Sequence, residues 1–388
     1  MSKLSIVYVL LLLFLATELS SATLDALSSA LISPVLRKAK GNTIFSPLLL
    51  SEGLMQLYMG AEGNTAVEIA NLLQIKCTLK AAAIEDYYKW HRTLIAPANV
   101  NLKMGNRIYL ASNVPIMEDY EHQVAEVFNA TIQHVNFADS DKTVGIINRW
   151  ANALTQGKIT KLLDKTTEQT KLMLLGAIYF KAKWQQQFNK LHTKLRAFSI
   201  ARPNGFIRTK QVETMQISAN FAYRRLLDVE ATAIVMPFAA NLSMVILLPE
   251  SIDGVDRLLE NLSKVDIGSV TEEFETFITL TLPKFKFNVA IDFIKILKSL
   301  GVNDLFDMAE LSAMSELTGL NVSKFLQKAF IEVSEQGAKA AAVEAIQFAR
   351  GKSLTGPEVN IDHPFVFLIK DEQRVYLAGV VKDPEDKK

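Results

Sequence analysis

Apolar spacing is helical in the first part of the chain and strand-like in the last. Leu24 to Ala39 carries apolar positions at helical intervals. In Gly41-Asn-Thr-Ile-Phe-Ser46-Pro47, Ser46 suits an N-cap and Pro47 the first helical position, predicting a helix to about Tyr58 that stops near Gly60. Gly63-Asn64-Thr65 predicts a second capped helix over Ala66 to Leu73. Leu102 to Leu110 then reads as a strand, Asp119 to Phe128 as a helix, and Thr131 to Phe137 as a strand. Val144 to Thr155 is a further helix, closed by Gly157-Lys158-Ile159, and Met173 to Phe180 is a long apolar strand. From Val212 onward strands dominate, at Met215 to Ile217, Ala231 to Phe238, Ser243 to Leu248 and Phe277 to Pro283. One short helix, Phe293 to Leu300, is stopped by Gly301. Helices first and strands later predict an α+β architecture with helices gathered on sheets.

One stretch fits neither period. Glu335 to Pro357, EQGAKAAAVEAIQFARGKSLTGP, follows the strand-like run Ala329 to Val333 and precedes another, Pro364 to Ile369. Its first part is small and Ala-rich, and its second part carries Arg350 and Lys352 around Gly351. A long irregular loop inside a compact domain is functional or disordered. By composition alone, Ala338 to Ala349 also suits a short helix or a flexible linker, since alanine is the best helix former.

The flanks of this loop resemble those of the serpins. Lys328-Ala-Phe-Ile-Glu-Val-Ser-Glu-Gln-Gly337, followed by Ala340-Ala-Ala342, is similar to the serpin hinge. Asp362-His-Pro-Phe-Val-Phe-Leu-Ile369 and Leu377 to Pro384 resemble the C-terminal strands. Asn42 to Leu73, Asn106-Arg-Ile-Tyr109, Asn148-Arg-Trp150 and Lys181-Ala-Lys-Trp184 extend the likeness over the whole mature chain. It is closest in style to the secreted, insect-like inhibitory type.

The resemblance implies a serpin fold: helices packed on three β-sheets with an exposed reactive-centre loop, here about 338–357. It implies that the chain is no enzyme, but a suicide inhibitor whose cut loop inserts as a strand into the main sheet. The alternative is a non-inhibitory binding or carrier protein, or a mere protease substrate. The implied hinge is Glu335, Gly337, Ala338, Ala340, Ala341, Ala342 and Glu344. On insertion, strand alternation turns Ala338, Ala340, Ala342, Glu344 and Ile346 to one face. Glu344 stands where threonine is common, and a buried unpaired carboxylate costs several kcal/mol or takes up a proton. Lys284 and Trp184 match the breach where insertion begins, with Lys284 paired to Glu335. Of the polar shutter beneath the sheet only Ser46 is kept, the other places holding Leu49, Gly176 and Gln327.

In the serpins the cut bond usually lies sixteen residues after the glutamate that Glu335 resembles, and that count lands on Gly351, whose missing side chain fills no specificity pocket. The favoured reactive bond is Lys352–Ser353, with Arg350–Gly351 and Gly351–Lys352 as alternatives. A basic residue before the bond points to a trypsin-like serine protease, whose pocket aspartate pairs with Lys or Arg.

Composition narrows the setting. With 388 residues, 49% of them hydrophobic, the chain has ample material for one large domain, expected over 22–388. Met1-Ser-Lys3, the apolar run Leu4 to Ala16 and the small residues Ser20-Ser21-Ala22 read as a secretory signal peptide, 1–21. This predicts a secreted, extracellular monomer, with no membrane contact once the leader is removed. Net charge is +1, which gives no global argument for nucleic acid. Cys77 is the only cysteine, so no intrachain disulfide can form. Sequons at Asn129, Asn241, Asn261 and Asn321 predict glycosylation, although Asn241 leads straight into an apolar strand. The five histidines are scattered without metal-ligand spacing, and no GxSxG elbow is present, so neither a metal nor a cofactor is expected. Gly351-Lys352-Ser353 mimics the end of a phosphate loop, but position 346 is isoleucine where that motif needs glycine. Ala81 to Arg92, with only Lys89, His91 and Arg92 basic, makes no polyanion site of the heparin type.

Overall fold

The structure is a computed structural model that describes residues 31–38, 40–75, 79–92, 100–202, 205–266, 270, 275–335 and 356–385. Two hydrogen-bonded sheets organise it. Five strands make the first sheet: β2 (Val100–Ala111), β3 (Ile132–Val135), β4 (Leu172–Ala182), β10 (Phe285–Asp292) and β11 (Val322–Val333), in the order β10-β11-β4-β2-β3. The central β4 is buried along nearly its whole length. Both its faces meet apolar layers, which is why it reads as a continuous hydrophobic run and not an alternating one.

The second sheet has nine strands, among them β5 (Lys194–Ala201), β6 (Ile207–Leu226), β9 (Glu275–Pro283) and β12 (Glu358–Asn360). β6 is 20 residues long. Its first half pairs with β5, its last five residues pair with β7 (Ala231–Pro237), and β9 covers the middle. The two smaller sheets of the expected three are therefore joined through one shared strand. The short Met215–Ile217 segment read from the sequence is the middle of this strand.

Two apolar bodies follow from this layering. Ile178, Phe180, Phe287 and Ile331 from the first sheet pack towards Ile246, Leu282, Phe365 and Phe367 from the second. Further along the same face, Leu174 and Phe325 pack on the helix Pro47–Gly60. Helix α1 covers residues 31–37. Helix α2 (Pro47–Gly60) is buried along its whole length, so its apolar residues occupy every side and not one stripe. At Gly53 it lies flush on the sheet, because a Cβ there would come within 2.5 Å of Leu174 and 2.9 Å of Phe325. Its start follows the expected chemistry: Ser46 accepts a hydrogen bond from the Leu49 N–H at 3.1 Å, with Pro47 opening the helix. The next helix, α3 (Gly63–Leu72), starts earlier than expected, and Glu62 holds the cap position without a side-chain bond. Thr65 instead turns inward, where its hydroxyl accepts from the Glu310 N–H.

Candidate functional site

The site is the seam between β4 and β11. These strands run parallel, with Phe325 to Ile331 of β11 opposite Leu174 to Phe180 of β4. β11 continues into Ser334 and Glu335, and described residues resume at Gly356 and Pro357, just before β12. The seam thus leads directly out to the unusual loop.

At this exit Glu335 is only 5% exposed. Its carboxylate accepts from the Thr193 hydroxyl at 2.9 Å and pairs with Lys284 at 3.2 Å. Lys284 lies between β9 and β10 and also reaches Glu213 at 3.2 Å. Burial pushes the Glu335 carboxyl up. Hydrogen bonds from its own backbone N–H, Thr193 and Lys284, with the lysine's charge, outweigh this and hold it below the ordinary glutamate range. Burial likewise pushes Lys284 down, and its bonds to Glu213 and Glu335 carry it above its ordinary value. Trp184 closes the same corner: it stacks on Phe238 with ring centroids 4.4 Å apart, and its indole N–H donates to the Ser334 carbonyl at 2.9 Å. The Phe188 N–H donates to the Glu335 carbonyl at 3.3 Å. Sequence reading brought Glu335, Lys284 and Trp184 together, and missed Thr193 and Glu213. An acidic partner for Lys284 on the neighbouring strand, but far off in sequence, leaves no local signal.

Midway along the seam, Asn106, Gly176 and Gln327 are register partners across three strands, so they share one face. The Gln327 carbonyl accepts from the Ser46 N–H at 2.6 Å, and its amide donates back to the Ser46 carbonyl at 3.3 Å. The Asn106 amide donates to the Leu49 carbonyl at 2.7 Å. Gly176 supplies nothing but room: a Cβ there would come within 2.7 Å of Asn106 Oδ1. The departures at Leu49, Gly176 and Gln327 therefore form one neutral contact, with Leu49 contributing its backbone.

Over the seam, Lys158 from the segment after α6 (Ser140–Leu154) lies 5.9 Å from both the Tyr179 and Phe330 rings, which face each other across β4 and β11. Lys328 donates to the Lys161 carbonyl at 2.7 Å.

This geometry belongs with a family match that spans almost the whole chain: residues 23–384 fit the model of the serpins, the serine protease inhibitors. The chain belongs to the serpin family. Iripin-3 of Ixodes ricinus is 34% identical over 348 residues, covering 87% of this chain and 88% of the relative. Leukocyte elastase inhibitor of Equus caballus is 31% identical over 85% and 89% of the two chains. Among solved structures, Serpin48 of the insect Tenebrio molitor superposes with a TM-score of 0.81 at 29% identity, over 93% of this chain and 97% of that one.

The remaining hinge positions of this serpin, Gly337, Ala338, Ala340, Ala341, Ala342 and Glu344, lie outside the described residues. So do Arg350, Gly351, Lys352 and Ser353 at the expected reactive bond, and Cys77. Of the sequon asparagines, Asn129 caps α5 (Glu118–Phe128) in a left-handed conformation and is exposed, as is Asn241. Asn321 is engaged at both ends of its amide, donating to the Asp307 carbonyl and accepting from the Ala309 N–H, each at 2.8 Å. The Asn261 amide donates to the Arg257 carbonyl at 2.9 Å.

Proposed function

We propose that this serpin is a secreted, monomeric suicide inhibitor of a trypsin-like serine protease, cut at Lys352–Ser353 and trapping its target by inserting the loop between β4 and β11. The observation that carries the reading is the parallel seam itself. A segment leaving the end of β11 and folding back between the two strands runs antiparallel to both. Insertion then replaces one parallel pairing by two antiparallel ones, which are slightly more stable per residue and complete every backbone bond along the new strand. Small hinge residues from Gly337 to Ala342 ask little room on entry.

The chemistry is that of an interrupted hydrolysis. The protease serine oxygen attacks the Lys352 carbonyl and the bond to Ser353 breaks. The new amine takes the proton and Lys352 stays esterified to the protease. Glu344, on the inward face of the inserted segment, slows entry, so part of the inhibitor is cut without trapping. Asn129 and Asn241 are the sequons most open to a glycan, whereas a glycan on Asn321 disturbs the bonds that hold Ala309.

The test is an SDS-stable complex with trypsin-like proteases, followed by mass spectrometry of the released C-terminal fragment. A fragment starting at Ser353 supports the assigned bond, and one starting at Gly351 moves it to Arg350. Cleavage at both bonds with no covalent complex overturns inhibition in favour of a carrier or substrate role. Glu344→Thr lowers the number of inhibitor molecules consumed per protease trapped; an unchanged ratio removes Glu344 from the account.

A further inference from the structure

The overall charge of +1 conceals an asymmetry. Between Glu168 and Glu213 there is no Asp or Glu, while nine Lys and Arg residues and His192 fall in that interval, leaving the rest of the chain net negative by eight. Most of the interval forms the exit corner of the seam and the hairpin of β5 with the first half of β6. As a strand β5 pairs only with β6 among the described residues, so the hairpin borders the sheet, with its Ser199 N–H donating to the Asp362 carbonyl at 2.7 Å. Lys190, Lys194, Arg202 and Arg208 are all exposed, and none has an ion-pair partner among the described residues.

The same hairpin and the short turn before it expose apolar side chains that a solvated charged surface has no use for. Leu191 is 83% exposed, Leu195 65%, Phe206 72% and Ile207 56%. These are four of the nine exposed large hydrophobics among the described residues, gathered within one short segment. The inward face of the hairpin buries Phe198 and Val212, while Leu195 and Ile207 belong to the opposite, outward face. At the tip the backbone closes tightly: the Gly205 N–H donates to the Arg202 carbonyl at 2.9 Å and the Arg202 N–H to the Phe206 carbonyl at 2.8 Å, with Gly205 at a φ of 78°. By strand alternation Arg208 lies on the Phe198 side and Ile207 on the other, so the tip carries Phe206 and Ile207 flanked in sequence by Arg202 and Arg208.

Exposed apolar side chains at a hairpin end with cations on its other face, and with the one facing carboxylate, Glu213 opposite Leu195, already paired to Lys284, match the boundary of an anionic bilayer met end-on, where apolar groups enter the headgroup region and Lys or Arg pair with the acidic headgroups. We infer that the β5–β6 hairpin is a peripheral docking surface for membranes rich in anionic phospholipid, which revises the expectation that the mature chain has no membrane contact. A sulfated polysaccharide would engage the cations and leave the apolar side chains without a role. The hairpin borders the hinge through Thr193, so docking holds the inhibitor at a lipid surface beside its own loop exit.

The experiment is co-sedimentation of the purified protein with phosphatidylserine–phosphatidylcholine vesicles and with pure phosphatidylcholine vesicles, at low and high salt. The expected result is binding to the mixed vesicles alone, weakened by salt. Arg202→Gln with Arg208→Gln lowers the partition coefficient by about fivefold per cation removed. Phe206→Ser with Ile207→Ser lowers it as well, while retention on immobilised heparin is unchanged. All four positions are exposed, and unchanged thermal unfolding of each variant verifies that only the surface was altered. The inference is overturned if mixed vesicles are not bound. It is equally overturned if the apolar variant binds them like wild type while heparin retention tracks the arginines, since the surface would then be a polysaccharide site.

Discussion

The exit end of the β4/β11 seam is held by charge, and its middle by neutral amides. At the exit Glu335 meets Lys284, which also holds Glu213. In the middle Gln327 grips both backbone groups of Ser46, and Asn106 grips Leu49, with no titratable side chain among these residues. Both contacts anchor β11, one at its end and one at its middle. They differ in how they fail: an ion pair answers to pH and charge reversal, whereas an amide bonded to backbone answers only to shape and to hydrogen-bond count.

Reversing the charge at the exit gives the largest expected effect. Glu335→Lys places a second ammonium where Lys284 now finds its carboxylate at 3.2 Å, in a site 5% exposed. Breaking a buried pair in this way costs about 3–5 kcal/mol. The variant is expected to melt earlier and to form polymers on mild heating, seen by native gel electrophoresis and size-exclusion chromatography. A variant that stays monomeric would show that the ion pair is not what keeps the exit closed.

In the middle, Gln327→Ala leaves the Ser46 N–H buried without its partner, since Ser46 is fully buried and the Gln327 carbonyl accepts that N–H. The expected cost is about 1–3 kcal/mol. The Ser46 carbonyl keeps the Leu50 N–H, so the loss falls on one group. The loss should be the same at every pH where the protein is folded, which separates it from any change at Glu335. Chemical denaturation at two pH values measures this, and a pH-dependent loss would place a titrating group in the contact.

Much of this comparison was legible before the structure was known. Glu335, Lys284 and Trp184 stand beside distinctive local runs, and Ser46 beside Pro47 carries a capping signal that depends only on neighbours in sequence. The middle contact was half-hidden because its partners are related by register. Asn106 belongs to β2, Gly176 to β4 and Gln327 to β11, and only the pairing of three strands brings them into one row. The glycine looked like a lost polar group, yet it is the space that Asn106 occupies. β6 was similarly broken in sequence reading, because its exposure pattern shifts where one half leaves the hairpin and the other joins β7.

That reading of Gly176 yields a sharper test of smaller size. Gly176→Asn adds an amide at this place and puts its Cβ 2.7 Å from Asn106 Oδ1. Overpacking of this kind costs about 1–3 kcal/mol. In an Asn106→Gly background the same substitution should cost much less, because the clash is gone and the new amide is able to replace the lost one. A double-mutant cycle measures the coupling directly. Independent, additive costs would show that the two side chains do not compete for one place.

The smallest expected effect is the pH dependence of the exit. Glu335 titrates below the ordinary glutamate value of about 4.5 in the folded protein. A carboxyl whose folded value is depressed releases its proton more readily when folded, so the unfolded chain binds more protons across the interval between the two values. Its stabilisation is fully present above the unfolded value and is lost as pH falls through the folded one. Neutral pH is therefore indifferent, and only acidification below about 4.5 weakens the exit through this group. Glu335→Gln removes the titration, and its melting temperature should fall less steeply than that of wild type over this acid interval. The Gln327→Ala variant should run parallel to wild type there, because nothing in its contact takes up a proton. Equal acid slopes for Glu335→Gln and wild type would mean that other carboxylates govern the acid limb, and that the charged exit differs from the neutral middle in strength alone.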